Sequence, residues 1–131
     1  MEINGNLLTD EFYKFDEHDS IVMLNENDYN KFIDNKNSNK IKIQFPYGIN
    51  GIMSDIYEYT IDEFNVKKLI DLIKEFYNSK LTNIETEKIA NEAEIYVGDL
   101  KIRKDILKLT NQCFVEELEY KNGIFILRTG S

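Results

Sequence analysis

Apolar residues recur at helical spacing in the middle of the chain. One set lies on a single face of a predicted helix, at positions Val66, Leu69, Ile70, Ile73, Phe76 and Tyr77. This pattern is typical of a helix with one buried face. The preceding segment TIDE, residues 60–63, matches a capping box, in which the Thr60 hydroxyl and the Glu63 carboxylate each accept a hydrogen bond from a free backbone N–H. We therefore expect one long amphipathic helix that begins just after Thr60 and ends near Ser79.

Alternating apolar and polar residues before this helix predict a β-hairpin. Its first arm alternates lysine and glutamine with three apolar residues, Ile41, Ile43 and Phe45. The pair Asn50-Gly51, between this arm and a second β-rich arm, is a strong hairpin signal. A strict two-residue turn would pair Ile43 with Glu58, which conflicts with an apolar face. We expect Pro46 and Gly48 to mark a bulge or an edge position that shifts this register.

Two further hairpins are predicted in the last third of the chain. A turn at Asn122-Gly123 would create three cross-strand pairs: Tyr120 with Phe125, Leu118 with Leu127, and Glu117 with Arg128. A turn at Gly98-Asp99 would fold the segment EIYVGDLKIR, residues 94–103, into a tight hairpin. Between this segment and the long helix, residues 84–93 are a weaker helix candidate.

The first 35 residues predict another hairpin, followed by a short helix. Residues 12–15 and 20–24 are short aromatic and β-branched runs, and the polar segment DEHD, residues 16–19, separates them. A connection of this length and composition is typical of a hairpin turn. Asn25 or Asn27 is expected to cap the helix, which would carry Tyr29, Phe32 and Ile33 at helical spacing.

Together these elements predict an α+β fold. Helices and antiparallel hairpins mix without regular strand-helix-strand alternation, so we expect an antiparallel sheet of hairpins covered on one face by two or three helices. The length fits one domain, residues 1–131, and no linker or repeat marks a second.

The charge of the chain is concentrated near its start. The formal net charge is −8; residues 1–63 carry 13 acidic and 5 basic side chains, whereas residues 64–131 carry 11 of each. Within residues 1–35, nine acidic side chains accompany two lysines, Lys14 and Lys31. An acidic excess serves solubility, and a local excess also repels nucleic acid and anionic membranes and attracts basic partners. We therefore expect no direct nucleic-acid partner and no membrane partner.

Residues for common catalytic and cofactor sites are scarce. The chain has one histidine, His18, and one cysteine, Cys113, which argues against a Cys/His zinc site, and its six glycines form no phosphate-binding loop. We expect no cofactor and no metal. His18 lies near Ser20 and several carboxylates, but neighbours on one exposed turn rarely give the geometry of a catalytic triad. The lone cysteine, together with a start that resembles no signal peptide, favours a cytoplasmic protein.

These features favour a non-enzymatic protein that binds a basic protein partner through its acidic first third. Tyrosine beside carboxylates suits such a contact, because the ring anchors while the charges steer. The predicted partner-binding residues are Asp16, Glu17, His18, Asp19, Glu26, Asp28 and Tyr29. We interpret the chain as an inhibitor of the toxin-immunity or phage anti-defence type, acting on a nuclease toxin or another nucleic-acid-processing enzyme. Its richness in Ile, Asn and Lys suggests an AT-rich bacterial or phage genome.

Two alternatives stay open. A small metal-dependent hydrolase would use Asp99 and Lys101 with Glu92 or Glu94, because some nucleases place an acid-x-Lys pair on a strand below a further carboxylate. Such triplets are also expected by chance in a chain this rich in acids and lysines. An accessory subunit or ligand-sensing domain of a larger assembly is the second alternative, and it would expose an apolar patch.

Overall fold

The computed structural model describes residues 3–33, 39–48, 51–93, 108 and 114–130. These residues form, in chain order, β1 (Asn4–Asn6), β2 (Glu11–Phe15), β3 (Ile21–Met23), α1 (Glu26–Asn30), β4 (Lys40–Gln44), β5 (Tyr57–Thr60), α2 (Val66–Tyr77), α3 (Asn83–Ala93), β6 (Phe114–Lys121) and β7 (Ile124–Gly130). The strands build one sheet in the order β3-β2-β1-β6-β7-β4-β5. A mainly antiparallel sheet with separate helices confirms the predicted α+β class.

One strand pair departs from the predicted set of antiparallel hairpins. Strands β4 and β7 run parallel, with Ile43 opposite Phe125 and Gln44 opposite Ile126. Each of these strands also has an antiparallel partner in its own hairpin, so the parallel pair joins two hairpins into one sheet. Turn residues determine the pairing within a hairpin, but they carry no information about how two hairpins lie side by side. The local pattern therefore could not predict this contact.

Helix α2 packs against one face of the sheet, which we call the covered face. All six residues predicted to form the inner face of this helix are buried. The ring of Phe76 stacks on that of Phe45, with 4.0 Å between their centroids, and the Tyr77 hydroxyl donates a hydrogen bond of 2.7 Å to the Pro46 carbonyl. Burial of one such aromatic side chain contributes about 1.5 to 3 kcal/mol. These contacts hold the helix on the sheet.

The start of α2 differs from the prediction. Its N-cap is Asn65, whose side chain accepts a hydrogen bond of 2.8 Å from the Lys68 N–H. Thr60 is instead the last residue of β5 and lies opposite Lys40. The predicted capping box at residues 60–63 is therefore wrong. Strand pairing holds Thr60 in the sheet, and two buried residues, Ile61 and Phe64, carry the chain from the sheet to the helix.

The register of β4 and β5 is shifted, as the sequence predicts, but the extra residue lies in the second arm and not at Pro46 or Gly48. Ile43 lies opposite Tyr57 rather than Glu58, and Pro46 forms a bridge with Met53. Three positions separate residues 43 and 46, whereas four separate residues 53 and 57, so the second arm holds one extra residue. The shift keeps Ile43 and Tyr57 together on the covered face.

The C-terminal hairpin has the predicted register. Three predicted pairs are present: Tyr120 with Phe125, Leu118 with Leu127, and Glu117 with Arg128. Asn122 and Gly123 have φ angles of 55° and 79°. Positive φ at both central residues is what a type I′ turn requires, and Asn-Gly adopts it at low cost. The hairpin at Gly98-Asp99 and the turn residue Asn50 lie outside the described residues.

The two shorter helices were both predicted, but one ends earlier than expected. Helix α3 covers the weak candidate at 84–93. Helix α1 is capped by Asn25 and ends at Asn30, because the chain becomes extended at Lys31. Phe32 then bridges to Asn65 instead of extending the helix. None of the described helices combines the length and apolar character needed to cross a membrane.

Candidate functional site

The sheet face opposite α2, which we call the open face, has two chemically different halves. The charged side chains that strands β4 to β7 place there include Lys40, Lys42, Glu58, Glu117, Glu119, Lys121 and Arg128. Opposite charges meet across strands, with N–O distances of 3.3 Å between Lys40 and Glu58 and 3.4 Å between Arg128 and Glu117. Such exposed pairs add little stability. In contrast, the described strands β1 to β3 place no basic residue on this face.

Four large side chains of β2 and β3 form what we call the apolar patch. They are paired across the two strands, Tyr13 opposite Met23 and Phe15 opposite Ile21. Ile21 is 66% exposed, Met23 60% and Phe15 43%. The Tyr13 hydroxyl donates a hydrogen bond to the Glu11 carboxylate, which raises the pKa of the tyrosine. Adjacent, exposed apolar side chains of this size are typical of a protein-binding surface.

Residues 16–19, which we call the acidic tip, form the turn between β2 and β3 as predicted. Oδ1 of Asp16 accepts hydrogen bonds from the N–H groups of His18 (2.8 Å) and Ser20 (2.9 Å). The Asp19 N–H donates to the Asp16 carbonyl at 3.1 Å, and Asp19 has a φ of 59°. This is a tight turn followed by a left-handed residue, a conformation that aspartate tolerates. Asp16 therefore builds the turn, while the side chains of Glu17 and His18 are 87% and 81% exposed.

The surroundings of His18 are those of a surface residue. Its Nε2 lies 3.9 Å from Oε1 of Glu17, and both side chains project into solvent. Within the described ranges, no buried carboxylate contacts the imidazole. A nucleophile-base-acid triad needs such a carboxylate to orient the ring. The geometry therefore suits contact with a partner better than nucleophilic catalysis.

The predicted site residues on α1 lie apart from the acidic tip. Asp28 forms a capping box with Asn25 and an ion pair with Lys14. Hydrogen bonds from the Asn25 N–H and the Lys14 ammonium lower the pKa of Asp28. Glu26 and Tyr29 line an open groove of about 510 Å³ between α1 and α2. The seven predicted residues thus fall in two places, with the tip at the far end of the hairpin and α1 beyond the other end of β3.

The sequence interpretation singled out the carboxylates and missed the apolar patch. Alternation along β2 separates Phe12 from Tyr13 and Phe15, but it does not tell which face the helices cover. Both faces of this strand carry aromatic residues. Since only one face of a strand is buried in a two-layer fold, the second set of aromatics was the signal for an exposed apolar surface.

A buried charged cluster lies where Tyr47, just after β4, contacts Glu85 of α3. Glu85 accepts hydrogen bonds from the Tyr47 hydroxyl (2.6 Å) and the Thr82 N–H (3.1 Å), and it pairs with Lys108 at 3.0 Å. Burial raises the pKa of Glu85, but the hydrogen bonds from Tyr47 and Lys108 outweigh it and lower the pKa overall. The Lys108 ammonium also lies 4.2 Å from the centre of the Phe76 ring. The Glu85 carboxylate, the Tyr47 hydroxyl and the Lys108 ammonium are thus all hydrogen-bonded or ion-paired, and these contacts connect residue 108 to α2 and α3.

Residues able to hold a metal ion are not grouped in the described part of the chain. There, no set of three or more His, Cys, Asp or Glu side chains is arranged around a common point. The hydrolase alternative depends on Asp99, Lys101 and Glu94, which lie outside the described residues. Its fourth candidate, Glu92, is exposed near the end of α3. That alternative therefore stays a prediction.

Comparison with known proteins gives no further assignment. No protein-family model matches the chain, and neither does any curated protein or solved structure.

Proposed function

We propose that this chain is a non-enzymatic protein that binds and occludes a basic surface of a partner protein. The binding surface is the β2–β3 hairpin, with the apolar patch at its centre and the carboxylates of the acidic tip at its end. The partner class that fits best is a nuclease toxin or another enzyme that acts on nucleic acid. An inhibitory role and a cytoplasmic location belong to the same proposal.

The supporting observation is that the apolar patch adjoins the acidic tip directly. Phe15 and Ile21 lie opposite each other in the last strand pair before the tip, so anchoring groups and charges lie side by side. Fully burying a side chain such as Ile21 or Phe15 contributes about 1.5 to 3 kcal/mol before the costs of association. An apolar patch alone would equally suit an accessory subunit. The adjacent carboxylates favour a partner with a basic surface.

The mechanism follows from the chemistry of nucleic-acid-processing enzymes. Such enzymes present lysine and arginine where phosphates bind. The exposed carboxylate of Glu17 and that of Asp19 would occupy those positions, while the patch excludes water beside them. Since long-range attraction acts mainly on encounter, the charges should speed association and the apolar groups should slow dissociation.

The test is affinity capture from the native host with matched baits. One bait is the unchanged chain, the second neutralises the tip with Glu17→Gln and Asp19→Asn, and the third removes apolar surface with Ile21→Ser and Met23→Ser. Asp16 is left intact in every bait because its carboxylate accepts two backbone hydrogen bonds in the turn. We expect one basic protein to be recovered with the unchanged chain and to be depleted about tenfold with the second and third baits.

Two control baits change the same chemistry elsewhere. Glu87→Gln with Glu92→Gln removes two exposed carboxylates from α3, and Ile84→Ser removes an apolar side chain that is 78% exposed at its start. We expect both controls to recover the partner as the unchanged chain does. A partner recovered equally by all five baits would contradict the proposal, because neither the tip nor the patch would then contribute to binding.

A further inference from the structure

We infer that the outer edge of β3 binds an extended, basic segment of the partner by adding it to the sheet as a further strand; this inference rests on the proposed function. β3 is the last strand in the sheet order, so among the strands that the structure describes β2 alone lies beside it. Strand addition at an open edge is a common way to recognise an extended chain, because the backbone groups of the edge supply the hydrogen bonds.

Hydrogen bonding within the hairpin determines which groups face outwards. The Asp16 N–H donates to the Ser20 carbonyl and the Leu24 N–H donates to the Phe12 carbonyl, both at 2.9 Å. In an antiparallel pair, inward-bonded and outward-facing residues alternate. Residues 20, 22 and 24 therefore bond to β2, and Ile21 and Met23 direct their N–H and C=O groups to the outer edge. No hydrogen bond from another described residue reaches these four groups.

The same two residues also supply side-chain contacts. Ile21 and Met23 project onto the open face, where both are more than half exposed. An added strand would place every second side chain on this face, against the apolar patch. Residues 20–24 contain no lysine or proline, the residues that commonly protect an edge from pairing. The edge is thus suited to a strand with apolar residues at alternate positions.

The charges at the two ends of β3 indicate which strand would bind. Glu17 and Asp19 lie just before it in the acidic tip, and Glu26 lies just after it in the first turn of α1. A bound strand would therefore meet carboxylates at both ends, which favours lysine or arginine flanking its apolar residues. A second copy of this chain fits poorly. In an antiparallel β3–β3 contact, the tip of each copy would approach Glu26 of the other, placing like charges together.

The probe is an acetylated, amidated peptide of alternating lysine and valine. We expect its binding to slow amide hydrogen exchange at Ile21 and Met23 by about tenfold or more, as measured by nuclear magnetic resonance, and to leave Val22 unchanged. Successive amides of an extended strand point in opposite directions. N-methylation of one alternate set of peptide amides should therefore weaken binding about tenfold, whereas methylation of the other set should change it less than about twofold.

The outcomes separate this inference from the proposed function. If both methylated peptides bind alike and Ile21 and Met23 gain no protection, while Glu17→Gln with Asp19→Asn still weakens binding, strand addition is wrong and the proposed function stands. If that tip variant and the control Glu87→Gln with Glu92→Gln bind the peptide equally well, the basic character inferred for the added strand is wrong, and capture with the five baits decides the proposed function separately. A dimer of the free chain that Met23→Lys dissociates, detected by sedimentation, would assign the edge to a second copy instead.

Discussion

Gly5 is the residue at which one added carbon atom would disturb the packing most directly. A Cβ at this position would lie 2.1 Å from Cδ1 of Phe12, which is 1% exposed and cannot move aside without leaving the core. Because the backbone of Gly5 is not left-handed, the cost is purely steric. We expect Gly5→Ala to lower the free energy of unfolding by about 1 to 3 kcal/mol in urea denaturation.

The matched control for this prediction is Asn4→Ala, the neighbouring position on the open face of β1, which should change stability by less than about 0.5 kcal/mol. Adding Phe12→Leu to Gly5→Ala should cost less than the sum of the two single changes, since the smaller side chain makes room for the methyl group. Strict additivity would show that Phe12 is not what the new methyl group meets.

Lys108 carries the charge that balances the buried carboxylate of Glu85. Both side chains are less than 10% exposed, so Lys108→Met would leave that carboxylate buried without its cation. We expect a loss of about 3 to 5 kcal/mol in the free energy of unfolding at neutral pH. The pKa of Glu85 is lower in the folded protein than its usual value of 4.5. Its contribution to stability is thus present above pH 4.5 and is lost as the pH falls through the folded pKa.

The double variant Lys108→Met with Glu85→Gln distinguishes an unpaired charge from a simple loss of packing. Removing the charge as well should restore part of the stability that Lys108→Met loses, and it should flatten the dependence of stability on pH below 4.5. A double variant as unstable as the sum of both single variants would contradict an ion pair at this position.

At the scale of the elements, the N-cap of helix α2 is where the structure and the sequence-based prediction differ most clearly. Asn65 caps the helix, whereas Thr60 belongs to a strand. We expect Asn65→Ala to destabilise the protein by about 1 kcal/mol. Thr60→Ala removes an exposed side chain at the end of β5 and should cost less than about 0.5 kcal/mol. Urea denaturation of both variants decides between the two caps. A larger loss of stability for Thr60→Ala than for Asn65→Ala would place the helix start at Thr60.

Elements determined by local patterns were predicted well. The Asn122-Gly123 turn needs positive φ at both residues, and Asn-Gly is the pair that allows it. The inner face of α2 follows from its spacing alone. The start of the same helix was misplaced because residues 60–63 match a capping box locally, and only the pairing of β5 with β4 excludes it.

At the scale of the whole molecule, the sequence could not predict how the elements assemble. The parallel contact of β4 with β7 joins segments about 80 positions apart. The candidate site depends on the same assembly. Which face of β2 is covered by helices determines that Tyr13 and Phe15 are exposed, and no local pattern around them contains that information. The carboxylates of residues 16–19 therefore lie on a turn as the sequence predicts, whereas the exposure of their apolar neighbours could not be predicted.

The assembled fold also divides the acidic first third of the chain. Asp10 pairs with Lys74 at 2.8 Å and Asp28 pairs with Lys14, so part of the local negative charge is balanced within the molecule. Glu17 and Asp19 remain exposed beside the apolar patch. Part of the negative charge that the sequence indicates is therefore balanced, and the exposed carboxylates that adjoin the apolar patch are those of the β2–β3 hairpin.

Hydrogen–deuterium exchange of the chain, free and bound to the captured partner, tests the role of this hairpin most directly. We expect slower exchange in residues 13–23 on binding, with little change in β4 and β5 or along α3. Raising the ionic strength should weaken the complex while leaving the protected segment the same. Protection confined to α2 and α3 or to the charged half of the open face, with residues 13–23 unchanged, would show that the partner binds elsewhere.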